Sequence, residues 1–213
     1  MTISGLCPPY VAFHGVASSE GGVLCGAEKE LTQNLNPKVL ELFCMGRHAA
    51  HLGLQLLGAK DLEIKRGPKR EPIWPKGFVG SIAHTEGLAV AAVAKRELVM
   101  GLGVDVELCS RDFRMPIEEK VANPLEQKWI LEKPELRRER LLALCSAKEA
   151  VFKAFYPLEQ VYLNFLDAEL KASRRGFQGV LHKSAGVDWQ VGFCFDVLQT
   201  EWRGYLVSAV TLS

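Results

Sequence analysis

Apolar residues recur at helical spacing after Asn36-Pro37, at Val39, Leu40, Phe43, Ala50, Leu54 and Leu57. Asparagine is a good N-cap, and proline suits the first helical position because its missing N–H has no intrahelical partner there anyway. The pattern predicts a helix from Pro37 to near Gly58. Residues 60–76 combine Lys65, Arg66, Lys69, Arg70 and Lys76 with Gly67, Pro68, Pro72 and Pro75, which predicts a basic loop. Three β-type apolar runs follow, at 78–84, 88–94 and 98–107, separated by Thr85-Glu86-Gly87 and Lys95-Arg96-Glu97, a spacing that predicts an antiparallel meander. Residues 116–156 then read as helical, with Pro124 and Pro134 as helix starts and Pro157 as a stop. The runs at 161–171, 177–182, 189–196 and 205–212 have strand length and Gly-containing breaks. Helices and strands on both sides of residue 100 predict an α+β fold of two α/β halves, 1–100 and 101–213, although no repeat is legible residue by residue.

Composition narrows the picture mainly by exclusion. A chain of 213 residues can bury a substantial core without staples. Its formal net charge of +1 favours neither a nucleic-acid binder nor an acidic tail. The longest apolar stretch, residues 88–94, is far too short to span a bilayer, and no Lys or Arg precedes Lys29. A soluble cytoplasmic protein is expected. Cys7, Cys25, Cys44, Cys109, Cys145 and Cys194 lack zinc-type spacing and read as reduced, mostly buried thiols.

Candidate chemistry begins at Gly103-Val104-Asp105-Val106-Glu107. On a strand, the period of two puts Asp105 and Glu107 on one face and Val104 and Val106 on the other. Two carboxylates at a strand end suit Mg²⁺, which takes oxygen ligands and keeps part of its shell for water and phosphate. A strand alternating apolar and solvated residues has the same pattern, so Asp-x-Glu alone decides little.

The second segment is Ser146-Ala147-Lys148-Glu149-Ala150-Val151-Phe152-Lys153-Ala154. It is a strong helix former that sets Glu149 and Lys153 four apart on one face. It also has a purely structural reading, with Ser146 and Glu149 as a capping box and Glu149 and Lys153 as a surface ion pair worth about 0.2–0.5 kcal/mol.

Taken in order, Gly-x-Asp-x-Glu and then Ser-x-Lys-Glu-Ala-x-x-Lys-Ala resemble the signature of the 4′-phosphopantetheinyl transferase superfamily. Gly46-Arg47-His48-Ala49-Ala50, Glu71-Pro72-Ile73-Trp74-Pro75 and Gly80-Ser81-Ile82-Ala83-His84-Thr85 extend the likeness to the longer, Sfp/EntD-like branch. It covers most of the chain from about Pro37 to Leu166. The resemblance implies two halves related by a pseudo-twofold, each with helices packed on an antiparallel sheet, and an active site between them that binds coenzyme A and Mg²⁺. It implies transfer of the phosphopantetheine arm of coenzyme A, as co-substrate, to a serine of an apo acyl or peptidyl carrier, with release of adenosine 3′,5′-bisphosphate.

By the same likeness, Asp105, Glu107 and Glu149 would hold Mg²⁺, and Glu149, Lys153 and Asp105 would act in catalysis, with Glu149 taking the serine proton directly or through a metal-bound water. Coenzyme A would be held by Arg47, Arg66, His84, Lys148, Lys153, Asp105, Thr85 and Ser81. His84 matches the histidine on the 3′-phosphate, while Arg47 and Arg66 match grips on the nucleotide phosphates. Val39 stands where a further arginine is usual, and Ala83 replaces a hydroxyl residue. Arg137, Arg138 and Arg140 are candidates for docking an acidic carrier, or simply solvated helix charges. A monomer suffices for a site between two halves of one chain, and no nucleic-acid or membrane partner is expected. Two other readings stand beside this one: a Mg²⁺-dependent coenzyme A or nucleotide pyrophosphohydrolase, and a non-catalytic coenzyme A-binding protein.

Overall fold

The computed structural model describes residues 5–113 and 117–213; Pro116, the expected start of the helical block, lies outside them. The first elements are strand β1 (Ala12–Ala17), helix α1 (Pro37–Leu56), short strands β2 (Lys65–Arg66) and β3 (Pro72–Ile73), and strands β4 (Phe78–Thr85) and β5 (Leu88–Lys95). Then come β6 (Gly101–Leu108), helices α2 (Glu118–Val121), α3 (Pro124–Leu131) and α4 (Arg137–Glu159), and strands β7 (Ala168–Ser173), β8 (Gly176–Leu181), β9 (Cys194–Trp202) and β10 (Tyr205–Leu212). Helices and antiparallel sheets are both present, as the α+β expectation required.

The helix starts follow their caps. Asn36 accepts the Val39 N–H at 3.0 Å, with Pro37 as the first residue of α1. Asn123 accepts the Glu126 N–H at 2.9 Å while Glu126 accepts the Asn123 N–H at 2.7 Å, a closed capping box at the start of α3. The box expected at Ser146 and Glu149 does not exist, because Ser146 lies in the middle of α4 and hydrogen-bonds Ser208 at 2.7 Å. Pro157 does not end α4 either. The helix runs to Glu159 and stops at Gln160, whose left-handed backbone (φ +54°) lets its N–H reach Tyr156 O at 2.9 Å. A proline in the last turn removes only one helical hydrogen bond, which the turn survives.

The expected meander holds for one turn only. β4 and β5 pair antiparallel, but β5 gives its other edge to β1, and β6 instead opens a five-stranded sheet of order β6-β10-β9-β8-β7. The reason lies in β5, which is buried from Leu88 to Ala94 because both faces are covered. Ala89, Ala91 and Val93 pack with Met45, Ala49 and Leu54 of α1. Leu88, Val90, Ala92 and Ala94 share a second core with Val104 and Val106 of β6 and Val207 and Ala209 of β10. A strand apolar at every position needs cover on both faces, and the second sheet provides it.

Smaller corrections concern loops. Residues 60–76 contain the β2–β3 hairpin. β7 starts only at Ala168, after a 3-10 turn at Phe165–Asp167, and β9 starts at Cys194 and runs on to Trp202. All six cysteines are free, but five are half-buried and Cys194 is exposed, so "mostly buried" does not hold. Cys25 and Cys109, for example, lie at element ends rather than in a core. Burial nevertheless pushes the Cys7 and Cys145 thiols up to about 12.

One contact positions the site. A side chain at Gly103 of β6 would overlap the Ala150 carbonyl oxygen of α4, and one at Gly101 would crowd the Ala154 carbonyl. The two glycines let α4 lie directly on β6, on the face that carries Asp105.

Candidate active site

Asp105 is 6 % exposed, which removes the solvated-strand reading of Asp-x-Glu. Across the close helix–strand contact, the Lys153 ammonium donates to Asp105 Oδ1 at 2.8 Å. The second oxygen, Oδ2, is buried without a hydrogen-bond partner among the described residues. Glu107, two residues on along β6, is ion-paired with Arg111. Glu149 lies half-buried one turn before Lys153; the surface pair expected between them is replaced by the Lys153–Asp105 contact.

The electrostatics tie the three carboxylates into one group. Burial, and then the Asp105 carboxylate, hold Glu107 above the usual carboxylate range. Burial does most to raise Glu149, Asp105 adds to it, and Lys153 and Arg111 pull the other way. No three His, Cys, Asp or Glu side chains form a ready-made metal cage among the described residues. Glu107 faces Arg111 and Asp105 faces Lys153. The donor chemistry nevertheless fits Mg²⁺: every donor is a carboxylate oxygen, the group repels itself, and one buried oxygen is orphaned.

Three cavities adjoin through shared walls. One of about 190 Å³ is lined by Phe43, Arg47, Arg70, Ile82 and His84 among others. It shares Arg70, Pro72 and Ile82 with a cavity of about 450 Å³ reaching Ser81, Phe152, Lys153 and Tyr156. That one shares Phe152 and Tyr162 with a third of about 240 Å³, where Lys148 and Glu149 stand. The cleft thus runs from cations on α1 and the β2–β3 hairpin to Lys153 and Glu149, with Asp105 behind Lys153.

The other expected residues fall in several places. His84 is exposed at the end of β4, and its imidazole is held below the ordinary histidine value by partial burial and by the Lys153 charge, against the opposing pull of Asp105. Arg47 is only 5 % exposed, not a helix-surface charge; its guanidinium lies 5.0 Å over the Phe43 ring. Arg66 is exposed on β2, near enough for its charge to oppose that of Arg47. Thr85 is the half-buried last residue of β4. Ser81 is buried, and its hydroxyl accepts the Val104 N–H at 3.0 Å, joining β4 to the free edge of β6. Lys148 donates to Glu126 at 2.7 Å and to Phe165 O at 2.5 Å. Arg137, Arg138 and Arg140 pair locally with Glu118, Glu139 and Glu132. On the surface, Lys38 reaches Glu86 at 3.4 Å, and the neighbouring Val39 is exposed. The sequence reading lacked Arg70, which lines two of the cavities, because it was one of several cations in a loop.

Strand-borne Asp105 meets helix-borne Lys153, with Glu149 one turn earlier, beside a cation-lined cleft, so the two segments of the sequence signature adjoin. Family comparison agrees: residues 27–94 match the 4′-phosphopantetheinyl transferase N-terminal domain, and residues 101–207 match the 4′-phosphopantetheinyl transferase superfamily. The chain belongs to the 4′-phosphopantetheinyl transferase superfamily. Among its relatives, 4′-phosphopantetheinyl transferase PptT of Mycobacterium tuberculosis is 32% identical over 80% of this chain and 78% of its own length. 4′-Phosphopantetheinyl transferase Npt of Nocardia iowensis is 35% identical over 68% of this chain and 64% of its own. Svp of Streptomyces mobaraensis, of the same name, is 37% identical over 63% and 55%. The chain therefore spans just under two thirds of Npt and little more than half of Svp.

Proposed function

We propose that this chain is a phosphopantetheinyl transferase that moves the phosphopantetheine arm of coenzyme A to a serine of an apo acyl or peptidyl carrier, releasing adenosine 3′,5′-bisphosphate. The observation that carries the reading is the 2.8 Å pair of Asp105 with Lys153, the latter lining a cleft that extends to Arg47 and His84. Residues 1–100 and 101–213 are taken as two halves with the site between them. No helix among the described residues is long and apolar enough to cross a membrane.

In this reading Arg47 and Arg66 hold the nucleotide phosphates and His84 the 3′-phosphate, with Thr85 next to His84 and Ser81 fixing β4 against β6. Lys153 sets a point charge at the pyrophosphate, and Lys148, already engaged by Glu126, contributes from the cleft wall. Asp105, Glu149 and, by turning from Arg111, Glu107 would hold Mg²⁺, which neutralises pyrophosphate charge when bound. The serine Oγ attacks the phosphopantetheine phosphorus, the P–O bond to the adenosine bisphosphate breaks, and Glu149 takes the serine proton. Burial raises the Glu149 carboxyl, and beside bound Mg²⁺ it would fall back toward the ionised form that accepts a proton.

The test is to incubate the protein with coenzyme A, Mg²⁺ and a panel of apo carriers and to weigh the carriers by mass spectrometry. A phosphopantetheine-sized gain supports the proposal. Coenzyme A cleavage without carrier gain would identify a pyrophosphohydrolase, and binding without turnover a non-catalytic coenzyme A-binding protein; either result overturns it.

A further inference from the structure

Two fully buried glutamates, one among the N-terminal elements and one among the C-terminal, are wired alike. Glu126, third residue of α3, accepts the Asn123 N–H on Oε2 at 2.7 Å and the Leu170 N–H on Oε1 at 2.7 Å, and pairs with Lys148 of α4 at 2.7 Å. Glu28, third residue of the 3-10 turn Gly26–Thr32, accepts the Cys25 N–H on Oε2 at 2.9 Å and the Ile64 N–H on Oε1 at 2.9 Å, and meets His51 Nε2 of α1 at 3.0 Å. Each ties a turn, the long helix and a following segment together.

The difference is a surplus cation. Lys148 completes the tie around Glu126. Around Glu28, His51 completes it, and Arg47, one turn earlier on α1, is left over: its Nε lies 3.9 Å from Glu28 Oε1, buried and without a hydrogen-bond partner. A guanidinium buried this deeply needs a counter-charge nearby. Glu28 supplies it at a distance too long for a hydrogen bond, while its own oxygens are taken by other donors. Ile64, held by the same carboxylate, is the residue just before the Lys65–Arg66 strand.

We infer that Glu28 is a positioning residue: it fixes Arg47 and the approach of Arg66 for an anionic nucleotide phosphate without quenching either cation. The inference rests on the proposed role of Arg47 at the nucleotide end of coenzyme A. Because several donors already surround the Glu28 carboxylate, its repulsion of an incoming phosphate is small beside the loss of a fixed guanidinium.

The test is calorimetric titration with adenosine 3′,5′-bisphosphate and, separately, 4′-phosphopantetheine. Glu28→Gln is expected to weaken the bisphosphate about tenfold, since the buried Arg47 guanidinium loses its counter-charge, and to leave 4′-phosphopantetheine unchanged. Arg47→Lys should weaken the bisphosphate similarly, and the double variant no further, since one residue acts through the other. Should Glu28→Gln not fold, His51→Gln, which loosens the same carboxylate, is read in the same way. Equal bisphosphate affinity in wild type and variant, or additive losses in the double variant, overturns the inference. A wild type that binds no bisphosphate overturns it together with the proposed role of Arg47. Failure of the carrier assay with normal bisphosphate binding overturns only the transferase reading.

Discussion

Lys148 and Lys153 sit five residues apart on one helix, and each pairs with a carboxylate, yet the two pairs differ in kind. Lys148 and Glu126 are about as buried as side chains can be, at 2 % and 1 % exposure, and their contacts are completed by Phe165 O and two backbone N–H groups. Lys153 lines a cleft and Asp105 lies behind it, their side chains 28 % and 9 % exposed, with Asp105 Oδ2 orphaned and two further carboxylates raised nearby. A satisfied buried pair fixes the helix, whereas an unsatisfied one leaves capacity for a ligand.

The largest effect should come from breaking the satisfied pair. Lys148→Met leaves Glu126 charged and buried, and is expected to cost about 3–5 kcal/mol of stability in a denaturant titration. Glu126→Gln added to it should recover most of that loss of stability. If Lys148→Met instead melts like wild type and loses activity, Lys148 belongs with Lys153 and the contrast fails. Gly103→Ala should come next, at about 1–3 kcal/mol, since the new methyl group forces α4 off β6. Because that contact brings Lys153 to Asp105, activity should fall more than stability. Ser81→Ala strands the Val104 N–H between the sheets, for a loss of about 1–3 kcal/mol with coenzyme A affinity largely kept. Loss of affinity without loss of stability would make Ser81 a ligand.

The smallest effect concerns pH. Burial alone would raise Glu28, but hydrogen bonds from His51, Cys25 and Ile64 outweigh it and hold the carboxyl below its usual range. A carboxyl depressed in the fold adds stability above its unfolded value and loses it as pH falls through the folded one. Acid melting curves of wild type should therefore fall more steeply than those of Glu28→Gln. Parallel curves would show that Glu28 is not held as described.

Much of this was legible in the residues. Asn36-Pro37 and Pro124 set helix starts through local chemistry, and Gly-x-Asp-x-Glu announced a strand with both carboxylates on one face. What local reasoning missed depended on distant partners. β5 and β6 are adjacent in sequence, but β5 pairs with β1 and β6 with β10, and no local pattern records that choice. Ser146 and Glu149 matched a capping box that the longer helix made impossible. Lys148 and Lys153 both read as coenzyme A contacts, with Lys153 the stronger candidate, and only the distant partners, Glu126 for one and Asp105 for the other, separate them in kind. Glu28 and Arg70 gave no signal, since a buried glutamate in a turn and a cation in a basic loop resemble their solvated counterparts.

Glu149→Gln tests the central claim most directly, with carrier modification and thermal melting measured on the same preparation. The fold raises the Glu149 carboxyl, so it disfavours the charged form, and a neutral glutamine should melt no lower than wild type. Transfer should fall about 100-fold or more, the scale of a lost general base. Near-normal transfer, or a loss of transfer matched by a collapse in melting temperature, would contradict an active site built on these carboxylates.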